Sequence, residues 1–119
     1  MNSIGGISDS VTQALHVAIN GLDARQRAIS ANVANLETPN YLARQVNFED
    51  SLRAAIDKGD PTQTSVSVQQ SLAATRMNGN NVNIDFELLA QSENVLRQKL
   101  VIQGLNNKYS LLRTAITGQ

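Results

Sequence analysis

The 119-residue chain contains no cysteine and no tryptophan, only two prolines and a single histidine. Without cysteine there is no disulfide, no thiolate nucleophile and no thiolate zinc site. Aromatic residues make up 3% of the chain, so a core must come from the aliphatic and alanine residues that dominate its 41% hydrophobic content. Ten basic residues cancel ten acidic ones, whereas a protein that grips a nucleic-acid backbone carries a basic excess. No run of apolar residues is long enough for a membrane span. The first residues, MNSIGGISDS, lack the basic and apolar regions of a secretory signal. Taken alone, these absences describe a soluble cytoplasmic chain, although a chain exported without a cleaved signal would look the same.

The chemistry of an active site is also missing. His16 has Thr12, Gln13, Ile19 and Asn20 as its helical neighbours, so it lacks the extra imidazoles or carboxylates of a metal site and the orienting carboxylate of a general base. It reads as a partly buried helix residue. Glu49 and Asp50 are adjacent, and adjacent helical residues point apart; they suit the first turn of a short helix. Ser30 has no base within reach of the sequence. NGNNVNID lacks the spaced aspartates and terminal glutamate of a calcium loop, and no glycine-rich phosphate loop is present. No catalytic, cofactor-binding or metal site is expected.

What is present is helical periodicity. Leu15, Leu22, Ile29 and Leu36 recur every seven residues, with Val11, Ala18 or Ile19, and Val33 between them, interrupted at Arg25 and Gln26. A parallel row of Ala24, Ala28 and Ala31 would admit a close neighbour. Ser8 or Asp9 is the expected N-cap, and Pro39 disfavours helix at Thr38, so a helix is predicted over 8–37, ending near Asn35 to Glu37. A second helix is predicted over 84–117, capped by Asn83 and terminated by Gly118. Its heptad row is Leu88, Val95, Ile102, Tyr109 and Ile116, supplemented by Ile84, Leu105 and Leu112, with Gln91 and Gln98 as polar gaps. Acidic Asp85, Glu87 and Glu93 come early and basic Arg97, Lys99, Lys108 and Arg113 late, as the helix macrodipole favours. At a 1.5 Å rise the two helices would span about 40 and 50 Å.

Residues 38–83 form a weaker middle. NFEDSLRAAIDKG reads as a short helix with Asn47 as its cap and Gly59 just past its end. The following stretch is uncharged from Thr62 to Thr75. Val66 and Val68 allow a short strand at most, and the segment is expected to be poorly ordered in the free chain. The fold class predicted is all-α: a single domain of two long helices paired as a coiled-coil-like hairpin. Leu15, Leu22, Ile29 and Leu36 should pack near Leu88, Val95, Ile102, Leu105, Tyr109 and Leu112. The apolar arcs are wider than one partner covers, which points to oligomerisation.

Two motifs carry a resemblance. SANVANLETPNYLARQ, with Ala31, Asn32, Ala34, Asn35, Thr38, Pro39 and Tyr41, is similar to the N-terminal signature of flagellar axial proteins, the rod and hook family, usually A-N-x-A-N-x-x-T-P-G-Y. NGNNVNID, with Gly79, Asn80, Asn81, Val82 and Asn83, resembles the lead-in to that family's C-terminal helix. The likeness covers about two thirds of the chain, and the short middle matches the proximal-rod members. Asn40 stands for the usual glycine and Asn83 for the usual aspartate. The resemblance implies a non-enzymatic subunit exported unfolded by the flagellar type III apparatus. It would assemble helically in the periplasmic rod of the basal body, around a central channel. Its partners would be copies of itself, other rod proteins, an adaptor at the rod base, the membrane-embedded MS ring and the export gate, with no nucleic acid and no small molecule. Asn32 and Asn35, poor helix formers one turn apart, would then bond across a subunit interface or cap the turn at Thr38-Pro39. Terminal helices would order only on assembly. The reading from another class is a cytoplasmic helical adaptor or export chaperone that binds one partner helix.

Overall fold

The computed structural model describes residues 3–117, and the side chains of residues 10–110, 113 and 114. Two long helices, α1 (Ser3–Ala34) and α2 (Ile84–Thr117), are joined by a middle that holds strand β1 (Arg44–Asn47), a short helix α3 (Glu49–Asp57), a single 3-10 turn (Pro61–Gln63) and strand β2 (Ser67–Gln70). The long helices run antiparallel: Asn32 meets Glu87, Leu22 meets Asn94, and Leu15 lies beside Gly104. The strands form one antiparallel ribbon in which Arg44 faces Gln70 and Val46 faces Val68.

The first helix starts at Ser3, upstream of the expected caps Ser8 and Asp9. A cap matters only where a helix begins, and no proline stops propagation through the preceding residues. It ends at Ala34, with turns through Glu37, slightly short of the predicted end. The second helix begins at Ile84 as expected, and the Asn83 amide oxygen accepts the Phe86 backbone N–H. The expected terminator Gly118 lies outside the described residues. The short helix is capped at Phe48 rather than Asn47, with no side-chain cap, because Phe48 is drawn into the core. Gly59 follows that helix with a φ of 87°, the left-handed conformation that suits glycine at a helix end.

The middle is folded, which corrects the expectation of disorder. Val66 stays outside the ribbon, which takes in Val68, and β1 had no clear sequence signal. Two buried side chains anchor it. Val46 and Phe48 pack with Leu22 and Ala28 of α1 in one small core. Gly21 makes this possible: a Cβ there would lie 2.5 Å from Phe48 Cδ1. Gly21→Ala must therefore displace the ring. Overpacking of this kind costs about 1–3 kcal/mol, and a urea titration should show that loss as a lower midpoint with an unchanged slope.

The predicted pairing of the long helices needs a larger correction. Leu22 and Ile29 are buried and Leu15 and Leu36 half-buried, as a seam on α1 requires. On α2, however, Leu88, Val95, Ile102 and Tyr109 remain 38–53% exposed. The residues turned inward are their N-terminal neighbours Glu87, Asn94 and Val101, with Leu105. A one-residue shift turns a helix face by about 100°, so the apolar heptad was read on the wrong face. Polar Glu87 and Asn94 hold the inner face because α1 and β1 offer them hydrogen bonds. The side chains of Leu112 and Ile116 lie outside the described set. His16 is exposed rather than partly buried.

Candidate functional site: the amide joint and its clamp

The two motifs, separated by some forty residues, fold onto one another. Asn32 is 1% exposed. Its Nδ2 donates to the Arg44 carbonyl (2.9 Å) and to Glu87 Oε1 (3.0 Å). Its Oδ1 accepts from the Arg44 N–H (2.9 Å) and the Tyr41 hydroxyl (3.1 Å). Both amide hydrogens and both lone pairs are used. The Asn32 part of the interface expectation is thereby overturned: this amide ties α1 to β1 and α2 within one chain. Asn35 does what a cap does. Its Nδ2 donates to the Ala31 carbonyl and its Oδ1 accepts the Thr38 hydroxyl.

The other motif closes the joint from the opposite side. Asn80, fully buried, donates through Nδ2 to the carbonyls of Asn35 and Thr38, both at 2.8 Å, and accepts the Val82 N–H. These carbonyls belong to the turns beyond the end of α1 and also accept the backbone N–H of Thr38 and of Tyr41. Asn81 accepts the Ala43 N–H at 2.7 Å and donates to the carbonyls of Ser71 and Ala73. Arg76 spans the joint from the Val82 carbonyl to the Leu36 carbonyl. Asn40, at φ 62°, donates its N–H to the Asn78 carbonyl, and Gly79, at φ 82°, sits where a Cβ would collide with Asn40. Asparagine at 40 adopts the left-handed conformation at modest cost. Val82 is buried and Ala31 half-buried; Ala34, Thr38 and Pro39 are on the surface.

A second cluster fixes α3. Arg25 of α1 pairs with both carboxylate oxygens of Glu49 at 2.6 Å, donates to the Val46 carbonyl, and lies 5.1 Å from the centre of the Phe48 ring. Arg97 of α2 reaches the same carboxylate at 2.8 Å. Three helices thus meet on one carboxylate. Nothing in the spacing of Arg25, Glu49 and Arg97 announced this cluster; Arg25 was legible only as a charged gap in the apolar row.

The Arg25 hydrogen bonds hold the Glu49 carboxyl at about 2, against an ordinary 4.5. The stabilisation from a depressed carboxyl is complete above the unfolded value and is lost as pH falls through the folded one. The clamp should therefore weaken between about pH 4.5 and pH 2. Glu49 is 39% exposed, so solvent screening holds its worth to about 1 kcal/mol. Glu49→Gln should melt earlier than the parent at pH 7, and the two melting curves should converge near pH 2. Glu87 has the opposite sign: burial pushes its carboxyl up, partly offset by Asn32. Its ionisation at neutral pH opposes folding, and acid relieves that cost.

Among the described residues there is no cluster of three or more potential metal ligands, and no helix is long and apolar enough to cross a membrane. The polar residues are consumed in joining backbone to backbone, which is what a structural subunit built as a braced helical pair requires. No protein-family model matches the chain. It is 29% identical over 119 residues to the flagellar basal body rod protein FlgB of Bacillus subtilis, covering 89% of this chain and 92% of that protein. It is 30% identical over 108 residues to the protein of that name from Borreliella burgdorferi, covering 72% and 80%. Against that of Escherichia coli it is 26% identical over 112 residues, covering 76% and 81%. The chain belongs to the flagellar basal body rod protein FlgB family, whose members are structural rather than enzymatic.

Proposed function

We propose that this chain is a subunit of the proximal rod, exported by the flagellar type III system and assembled helically with other rod proteins to transmit torque and line the export channel. The observation that carries the reading beyond family membership is the surface of α2. Leu88, Leu89, Val95, Leu96, Leu100 and Ile102 are all exposed, so α2 presents large apolar side chains over nearly half of its circumference. An exposed apolar face of that extent marks a contact surface, and this chain leaves it uncovered. In the rod, the antiparallel pair acts as a coiled-coil-like hairpin whose outer faces meet neighbouring subunits. Sister rod proteins of the FlgC, FlgF and FlgG type, a FliE-type adaptor, the MS ring and the export gate are the expected neighbours. The residues the heptads single out, including Leu88, Val95, Ile102 and Tyr109, serve contacts between subunits rather than the pairing inside one.

Mass spectrometry of detergent-purified hook–basal bodies, with and without the gene, tests this. The protein should be present in the intact particle, and its deletion should leave membrane rings without a rod. Finding it only with cytoplasmic export components would replace this reading with that of an adaptor.

A further inference from the structure

A groove of about 300 Å³ opens between α1, β1 and α2. Its apolar walls include Ala28, Ile29 and Val46, and Glu87, Glu93 and Asn94 line it from α2. Its polar groups divide unevenly between donors and acceptors. The cations on its rim are engaged: Arg25 and Arg97 hold Glu49, and Arg44 lies over the Tyr41 ring. The acceptors are not. Glu87 is 3% exposed and takes a hydrogen bond from neutral Asn32, with no cation paired to it among the described residues. Asn94 is 1% exposed; its Nδ2 donates to the Leu22 carbonyl and Gln26 Oε1, and its Oδ1 is buried with no donor among the described residues. An unmet buried acceptor and an unpaired buried carboxylate are both costly. A donor carrying positive charge would relieve both.

The chain supplies one. The first part of α2 carries Asp85, Glu87 and Glu93 and no cation, and beyond Arg97 the helix carries Lys99, Lys108 and Arg113 and no acid. Two copies displaced along the helix axis would set the basic part of one against the acidic part of the other. Lys99 is exposed, and its flexible stem ends in three donors and no acceptor. Glu93 and Lys99 are six residues apart, so parallel copies offset by about 9 Å would bring them level, with the lysine stem reaching back toward Asn94 and Glu87.

We propose that this groove is the receptor for Lys99 of a second copy of the chain, whose ammonium pairs with Glu87 and Glu93 and donates to Asn94. This rests on the rod reading, since it needs copies placed side by side. The absence of cysteine makes a direct test simple. Glu93→Cys and Lys99→Cys copies, both exposed positions, are co-expressed and hook–basal bodies are oxidised. A disulfide between the two copies is expected, and a Leu88→Cys partner in place of Lys99→Cys should give none. In a cysteine-free chain that keeps Lys99 and Glu93, Glu87→Gln should lower the amount incorporated into basal bodies about tenfold, as loss of one well-formed charge pair does, while the melting temperature of the isolated subunit holds or rises. Only a carboxylate kept for an outside cation gives those opposite signs. Basal bodies that contain both cysteine variants but no cross-link overturn the groove contact and leave the rod reading standing. Absence of the unmodified protein from basal bodies overturns both. If the cysteine copies are excluded where the unmodified chain is incorporated, the swap Glu93→Lys with Lys99→Glu in one chain decides: restored incorporation supports the pairing, and continued exclusion overturns it.

Discussion

Asn32→Leu is expected to cost about 3–5 kcal/mol, the largest loss from any single substitution in the joint. The side chains are nearly equal in size, so the loss is one of polarity, not volume. Four hydrogen bonds go at once, to the Arg44 N–H and carbonyl, the Tyr41 hydroxyl and Glu87. What remains matters more than what is removed. The Glu87 carboxylate stays buried with no donor, and removing one partner of a buried charge costs about 3–5 kcal/mol. Domains of this kind have about 5–15 kcal/mol in total, so the variant should be partly unfolded at 37 °C. Equilibrium urea unfolding measures it, with Asn35→Ala alongside. Asn35 bonds only at the helix end, and loss of a cap costs about 1 kcal/mol. An Asn32→Leu protein within 1 kcal/mol of the parent would show that the joint is not what holds the hairpin. The same substitution cannot report on a subunit interface, because a missing rod would then follow from a missing fold.

How far the sequence could be read divides along a physical line. Patterns carried by one segment were legible. The two long helices, the Asn83 cap, Gly59 beyond the short helix and the turn at Thr38-Pro39 each follow from local propensity and spacing. What depends on a partner distant in the chain was not. The β1 strand has one buried side chain in four residues, Val46, and is held by Asn32 and by β2, so its own sequence barely marks it. The inner face of α2 was missed for a related reason. Heptad reading assigns the seam to the most apolar row, and here that row is Leu88, Val95 and Ile102, while the seam contains Glu87 and Asn94. A charged residue becomes a seam residue only if an amide on the facing element receives it, and Asn32 does so from 55 positions away. The asparagines of both motifs raised the right question, why so many amides stand at helix ends. The answer lay in the pairing of the two motifs with each other.

Leu96→Asp combined with Leu100→Asp should abolish rod assembly and leave the subunit folded. Both leucines are about 60% exposed on α2, on the side away from Glu87 and Asn94, and four residues apart they share one face. In the isolated chain an aspartate there meets water, so the melting temperature should move little; surface substitutions fall within about 0.5 kcal/mol each. In the rod the same positions are to be covered by a neighbour. A carboxylate buried in an apolar contact without a partner costs several kcal/mol, and every subunit of the helix carries the cost. Circular dichroism of the purified variant and the rod content of basal bodies measure the two halves separately. A folded variant that builds normal rods would show that this face looks onto solvent in the assembly, and the apolar girth of α2 would need another explanation. A folded variant that builds none ties that girth to assembly, because a lesion confined to the monomer would have shown itself in the melting curve.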